Sequence, residues 1–178
     1  MKVKIQWINI AASILLFSGI FTGFSVAQEQ EKEEIRQEFR ERLKGSDGVF
    51  VYVEVIAQEK SDEKSLIEEI QKEVEDQLKD SKIKILTKDG SDITPGRPRL
   101  AINLVTYKEP SQKGIFLYSF RIVHYEISSM LRTDRYVEGI CWDSGLYVGR
   151  DKTPSIIKTI RTQLRKYIDD YLAANPTS

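Results

Sequence analysis

The hydrophobic patterning of this 178-residue chain predicts an α/β (α+β) fold. The expected form is a two-layer sandwich, with a mostly antiparallel sheet of about five strands carrying two long helices on one face. Three observations predict it. Val49 to Ile56 alternates with period two. Leu66, Ile70, Val74, Leu78 and, later, Ile156, Ile160, Leu164, Ile168 recur every four residues, the stripe of a helix that buries one side. Between those two stretches lie four runs of strand character. Two apolar helix stripes need one apolar sheet face to cover, hence the two layers.

The chain opens with Lys2 and Lys4, an apolar run from Ile5 to Phe24, and the small residues Ser25-Val26-Ala27. That order reads as a signal peptide, residues 1–27, cleaved near Ala27. The alternative is an uncleaved N-terminal membrane anchor, since about 20 apolar residues can span a bilayer. The expected location is periplasmic or secreted, in a bacterial cell envelope, with membrane contact only through this segment if it stays attached.

Residues 28–44 form a charged leader helix with Ile35, Phe39 and Leu43 on one face, stopped by Gly45 and Asp47-Gly48. So narrow a stripe predicts weak docking. Residues 45–176 form a single α/β domain without internal repeats. In its first strand Val49, Val51, Val53 and Val55 face the core, while Phe50, Tyr52 and Glu54 face the other way. Ser61-Asp62-Glu63 starts the first long helix, its acids suited to the positive end of the helix dipole. Lys82 to Thr87 alternates lysine and isoleucine and reads as an edge strand. Lys88 to Arg99, dense in Gly and Pro, reads as a loop. Leu100 to Tyr107 puts Leu100, Ile102 and Leu104 on one face, with Ala101, Asn103, Val105 and Tyr107 on the other. A turn leads to Gly114–Leu131, the longest strand, and Tyr136 to Trp142 pairs back. Leu146 to Val148 is a short extended piece, and Thr153-Pro154 starts the last helix.

Charge and composition narrow the function. The chain carries 27 basic and 27 acidic residues, and the part after Ala27 carries 25 against 27, a net charge of −2. No bulk field attracts nucleic acid. One histidine and one cysteine provide too few ligands for a transition-metal site, and no phosphate-binding glycine pattern occurs, so no cofactor is expected. Cys141 has no partner for an internal disulfide. His124, with Glu126 two residues on, is the one arrangement suited to general base chemistry, but no nucleophile has a recognisable signature. It is expected on a half-exposed sheet face. The stronger candidate is an aromatic second face built from Phe50, Tyr52, Tyr107, Tyr118, Phe120, Tyr136 and Trp142. Whether the leader helix or the 88–99 loop covers these aromatics stays open at this level.

The Pro98-Arg99-Leu100 strand entry, the Trp142 strand, the Val148-Gly149 step and the Asp169-Asp170-Tyr171-Leu172-Ala173-Ala174-Asn175-Pro176 ending resemble small exported bacterial proteins of unknown function. In element order the chain is also similar to the N-terminal domain of the TolB family and to the curli-secretion CsgG family. Those likenesses imply the fold and an envelope setting, and carry over no catalytic residue. The sequence therefore predicts a non-enzymatic domain that meets an envelope protein, or a second copy of itself, through an aromatic sheet face or an edge strand. The alternative is a small-ligand carrier or weak hydrolase with a pocket near His124.

Overall fold

The computed structural model describes residues 30–130 and 135–176, without the side chains of Ser61, Ser129, Met130 and Arg135. The expected signal peptide lies outside the described residues, as do residues 131–134. The chain divides into two units, Met1–Glu38 and Phe39–Ser178. Residues 30–43 are helical (α1), and the division falls within them.

In the second unit the order is β1 (Phe50–Ala57), α2 (Lys60–Asp80), α3 (Lys88–Ile93), β2 (Arg99–Lys108), β3 (Phe116–Met130), β4 (Arg135–Asp143), β5 (Tyr147–Asp151) and α4 (Thr153–Ala174). The sheet runs β1-β2-β3-β4, with β5 also on β3. β1 and β2 are parallel, as their connection through α2 requires, and every other pairing is antiparallel. β2 occupies one edge of β3, so β4 and β5 share the other: β4 pairs from Val123 to Met130 and β5 from Phe116 to Phe120. Ser144 bridges the gap between them. Its amide donates to the Ile122 carbonyl at 2.9 Å, and its Oγ accepts from the Ile122 amide at 3.0 Å.

The α2 stripe Leu66, Ile70, Val74, Leu78 and the α4 stripe Ile156, Ile160, Leu164, Ile168 pack with the inner face of the sheet in one core. Each such side chain contributes about 1.5–3 kcal/mol by leaving water. The solvent side of this layer is also tied: Arg161 of α4 donates from Nε and a terminal nitrogen to the Glu73 carboxylate of α2, at 2.7 and 2.6 Å. Glu73 is the acceptor in that clip, and the guanidinium holds its carboxyl below the usual range.

Three expectations need correction. Lys82 to Thr87 is not a strand; it makes only the parallel bridge Val49↔Ile85. Lys82 takes a left-handed turn (φ 59°), and Thr87 is already the N-cap of α3, accepting from the Gly90 amide, so too little extended chain is left. Residues 88–93 are correspondingly a short helix inside the expected loop. The end of α1 does not dock weakly, since Leu43 is fully buried and Phe39 packs against the core. Asn175, just past α4, donates to the Leu43 carbonyl and accepts from the Gly45 amide, satisfying groups at that helix end.

Gly48 is where the backbone leaves least room. Its φ is +125°, and a Cβ there would sit 2.5 Å from the Lys84 carbonyl oxygen. Gly48→Ala is expected to cost about 2 kcal/mol or more, read as a lower urea midpoint with an unchanged slope. An unaltered midpoint would contradict this packing.

Candidate functional site

Alternation along β3 divides the candidate residues between two faces. Pairing with β2 matches Leu100 to His124, Ile102 to Ile122, Leu104 to Phe120 and Thr106 to Tyr118, so all of these point toward the helices. The aromatic surface expected from the sequence is thereby split. Phe120 is 1% exposed and Trp142 3%, both within the core, and Tyr118 packs against it. Phe120 stacks on Tyr147 at 5.0 Å and on Tyr118 at 6.3 Å, while the Tyr118 ring lies over Gly149, directly opposite on β5. Phe50, Tyr52 and Tyr107 are on the outer face. Tyr136 is exposed near the start of β4.

His124 is likewise corrected from half-exposed to fully buried. Its Nδ1 lies 2.9 Å from the Tyr167 hydroxyl of α4, and its Nε2 lies 3.1 Å from Glu126 Oε1. Burial pushes the Tyr167 phenol well above its ordinary pKa, so it keeps its proton and donates to Nδ1. Nε2–H is then left to donate to the carboxylate. The same region holds the Trp142 indole N–H donating to Asp170 at 3.1 Å, and Arg40 donating to the other Asp170 oxygen at 3.0 Å. Cys141 is the extra residue of a β-bulge, because pairing steps from His124↔Trp142 to Tyr125↔Ile140. Burial, then the Glu126 carboxylate, pushes its thiol up to about 11, which keeps it protonated and weakly nucleophilic near neutrality. The arrangement does structural work: it joins sheet to α4 with both imidazole nitrogens occupied. Among the described residues no group of His, Cys, Asp and Glu could hold a metal ion.

The outer face has three zones along the strands. At one end is a cleft of about 540 Å³, its floor and walls including Phe50 and Tyr52 of β1, Ala101 of β2 and Tyr125 of β3. Its rim carries Lys88 and Asp92 of α3, Arg99 and Asn103 of β2, and Glu138 of β4. Next comes a polar band, where Glu54, Asn103 and Arg121 lie side by side and Arg121 forks onto the Asp143 carboxylate. Beyond the band the register sets Ile56, Val105, Ser119 and Val148 in a row across four strands, with Tyr107 and Leu117 paired in the row behind. Of these, Val148 is 78% exposed, Ile56 59% and Tyr107 49%.

Compared with protein-family models, with curated proteins and with solved structures, the chain matches none of them. Sequence reasoning placed Ala101, Asn103, Val105 and Tyr107 on the far face of β2 but assigned no role to Ile56, Leu117, Tyr125 or Val148. Strand parity could have found Leu117 and Tyr125, which alternate with Tyr118, Phe120 and His124.

Two outcomes follow from the buried cluster. Tyr167→Phe orphans His124 Nδ1 and is expected to lower stability by about 1–3 kcal/mol in chemical denaturation; no change would contradict the bond. For Cys141, alkylation of the folded protein at pH 8 is expected to be far slower than of the unfolded chain, and to accelerate as pH climbs toward 11. The fold holds that proton more tightly than the unfolded thiol at about 9, so this group's contribution to stability is intact below 9 and falls away from about 9 to 11. Equal alkylation of folded and unfolded protein at pH 8 would overturn the assignment.

Proposed function

We propose that this protein is an exported, non-enzymatic cell-envelope domain that binds another envelope protein through the outer face of its sheet. The observation carrying the reading is the bare apolar zone formed by Ile56, Val105, Val148, Tyr107 and Leu117. Both long helices bury their stripes on the inner face, and a contiguous exposed apolar patch on a folded domain is the usual mark of a contact surface. The export reading is supported by the basic start, apolar run and small residues of positions 1–27. Among the described residues no helix is long and apolar enough to cross a membrane.

A hydrolase or ligand site at His124 has less support, because the imidazole is enclosed and both ring nitrogens are engaged. Photo-crosslinking in cells tests the preferred reading. Crosslinkers at Ile56, Tyr107 and Leu117 are expected to capture one defined protein, while crosslinkers at Glu68 and Lys158 on the helix surface do not. Capture from the helix positions only, or from none, would count against it.

A further inference from the structure

We propose that the cleft on the outer face is a binding site for a small, uncharged, planar heteroaromatic ring with an amide edge, the chemistry of a pyrimidine, purine or pteridine base. This goes beyond the partner-binding reading and uses a separate zone of the face. The shape comes first. Tyr52, Ala101 and Val123 lie side by side on β1, β2 and β3, and the neighbouring row is Phe50, Arg99 and Tyr125. Ala101 is thus a short side chain on the middle strand with aromatic residues on the strands either side. β1 and β3 are two strand spacings apart, about 9.6 Å. A ring seated over Ala101 lies one strand spacing, about 5 Å, from Tyr52, while Tyr125 is its diagonal neighbour at about 7–8 Å, a span that an aromatic side chain reaches across. The Ala101 methyl lies at the base of the slot between the aromatic walls, so its floor is apolar. The volume of about 540 Å³ is that of a small-molecule site rather than a packing defect.

Polar chemistry then selects the ring. Asn103 lies two residues along β2 from Ala101, half-buried, and its side-chain amide makes no hydrogen bond with any described residue. A carboxamide offers one acceptor and two donors, so it meets a –CO–NH– edge with a pair of hydrogen bonds. Charge sets the last limit. Lys88 and Arg99 are balanced by Asp92 and Glu138, and Arg99 is already paired with Asp92 at 3.4 Å. The lining therefore gives no net attraction for an anion, which separates a bare base from its phosphorylated forms.

The test is a titration of the purified full chain, followed by backbone amide NMR shifts. The probes are uracil, hypoxanthine and lumazine, with indole as a ring lacking the amide edge and uridine 5′-monophosphate as the anionic form. At least one amide-edged ring is expected to shift Tyr52, Ala101, Asn103 and Tyr125 selectively. Ala101→Leu, which fills the slot, and Asn103→Ala are each expected to weaken it at least about tenfold. Ala101→Ser, which keeps the space, is expected to bind like the parent. Tyr52→Ala removes an exposed wall without touching the core and is expected to weaken binding even if Ala101→Leu disturbs the strand. No shifts up to the solubility limits of all three rings would overturn the proposal. So would indole binding as tightly as they do, or the monophosphate binding more tightly than uracil. Because no partner protein is present, these results are independent of the crosslinking outcome.

Discussion

The strict alternation of β3 is the constraint on which the rest of the structure depends. Its inner series, Phe116, Tyr118, Phe120, Ile122 and His124, meets the helices, while its outer series, Leu117, Ser119, Arg121, Val123 and Tyr125, forms the middle of the other face. A slip of one residue would exchange the two series and bury Arg121 against α4. Several independent contacts hold the register. The ten-residue ladder to β2 fixes one edge. On the other, the Cys141 bulge absorbs an extra residue, Ser144 clips both the amide and the carbonyl of Ile122, and Arg121 forks onto Asp143.

The inner face of the sheet also supplies the polar tie between layers. His124 to Tyr167 and Trp142 to Asp170 cross from sheet to α4 in a region with little access to water. Each bond is worth only about 1 kcal/mol net, yet leaving either partner bare costs more, so the pairs penalise misplacement of α4 more than they reward correct placement. Apolar stripes alone would let the helix slide by a turn. Tyr171, whose hydroxyl donates to the Ser46 carbonyl, and Asn175 fix the far end of α4 in the same way.

Much of the fold was legible in the residues. Four alternating valines admit one reading of β1, and two four-residue stripes admit one reading of α2 and α4. Parity was the harder matter. Both faces of β3 contain aromatics, and the sequence offers the Tyr118/Phe120 series as an exposed face, although it is the more apolar and so the better surface for helices to cover. Serine and arginine in the alternate series were the available signal. Trp142 could not be placed from alternation, because the bulge at Cys141 changes parity in β4 and leaves no mark in composition. The cleft was illegible for another reason: its wall α3 is six residues long, too short for a helical period to declare itself within a Gly- and Pro-rich stretch.

The candidate site follows from the same division. A sheet covered on one side, with a polar band separating an aromatic slot from an apolar patch, offers two surfaces of different chemistry on one face. Which side chains of the sheet meet water decides the assignment of the two faces. Side-chain footprinting with photogenerated carbenes, read residue by residue, tests this most directly. Strong labelling of Tyr52, Tyr107 and Val148 with protection of Phe120, Trp142 and Tyr167 is the expected pattern. Labelling of Phe120 and Trp142 as heavily as Tyr107 would reverse the two faces and contradict the account.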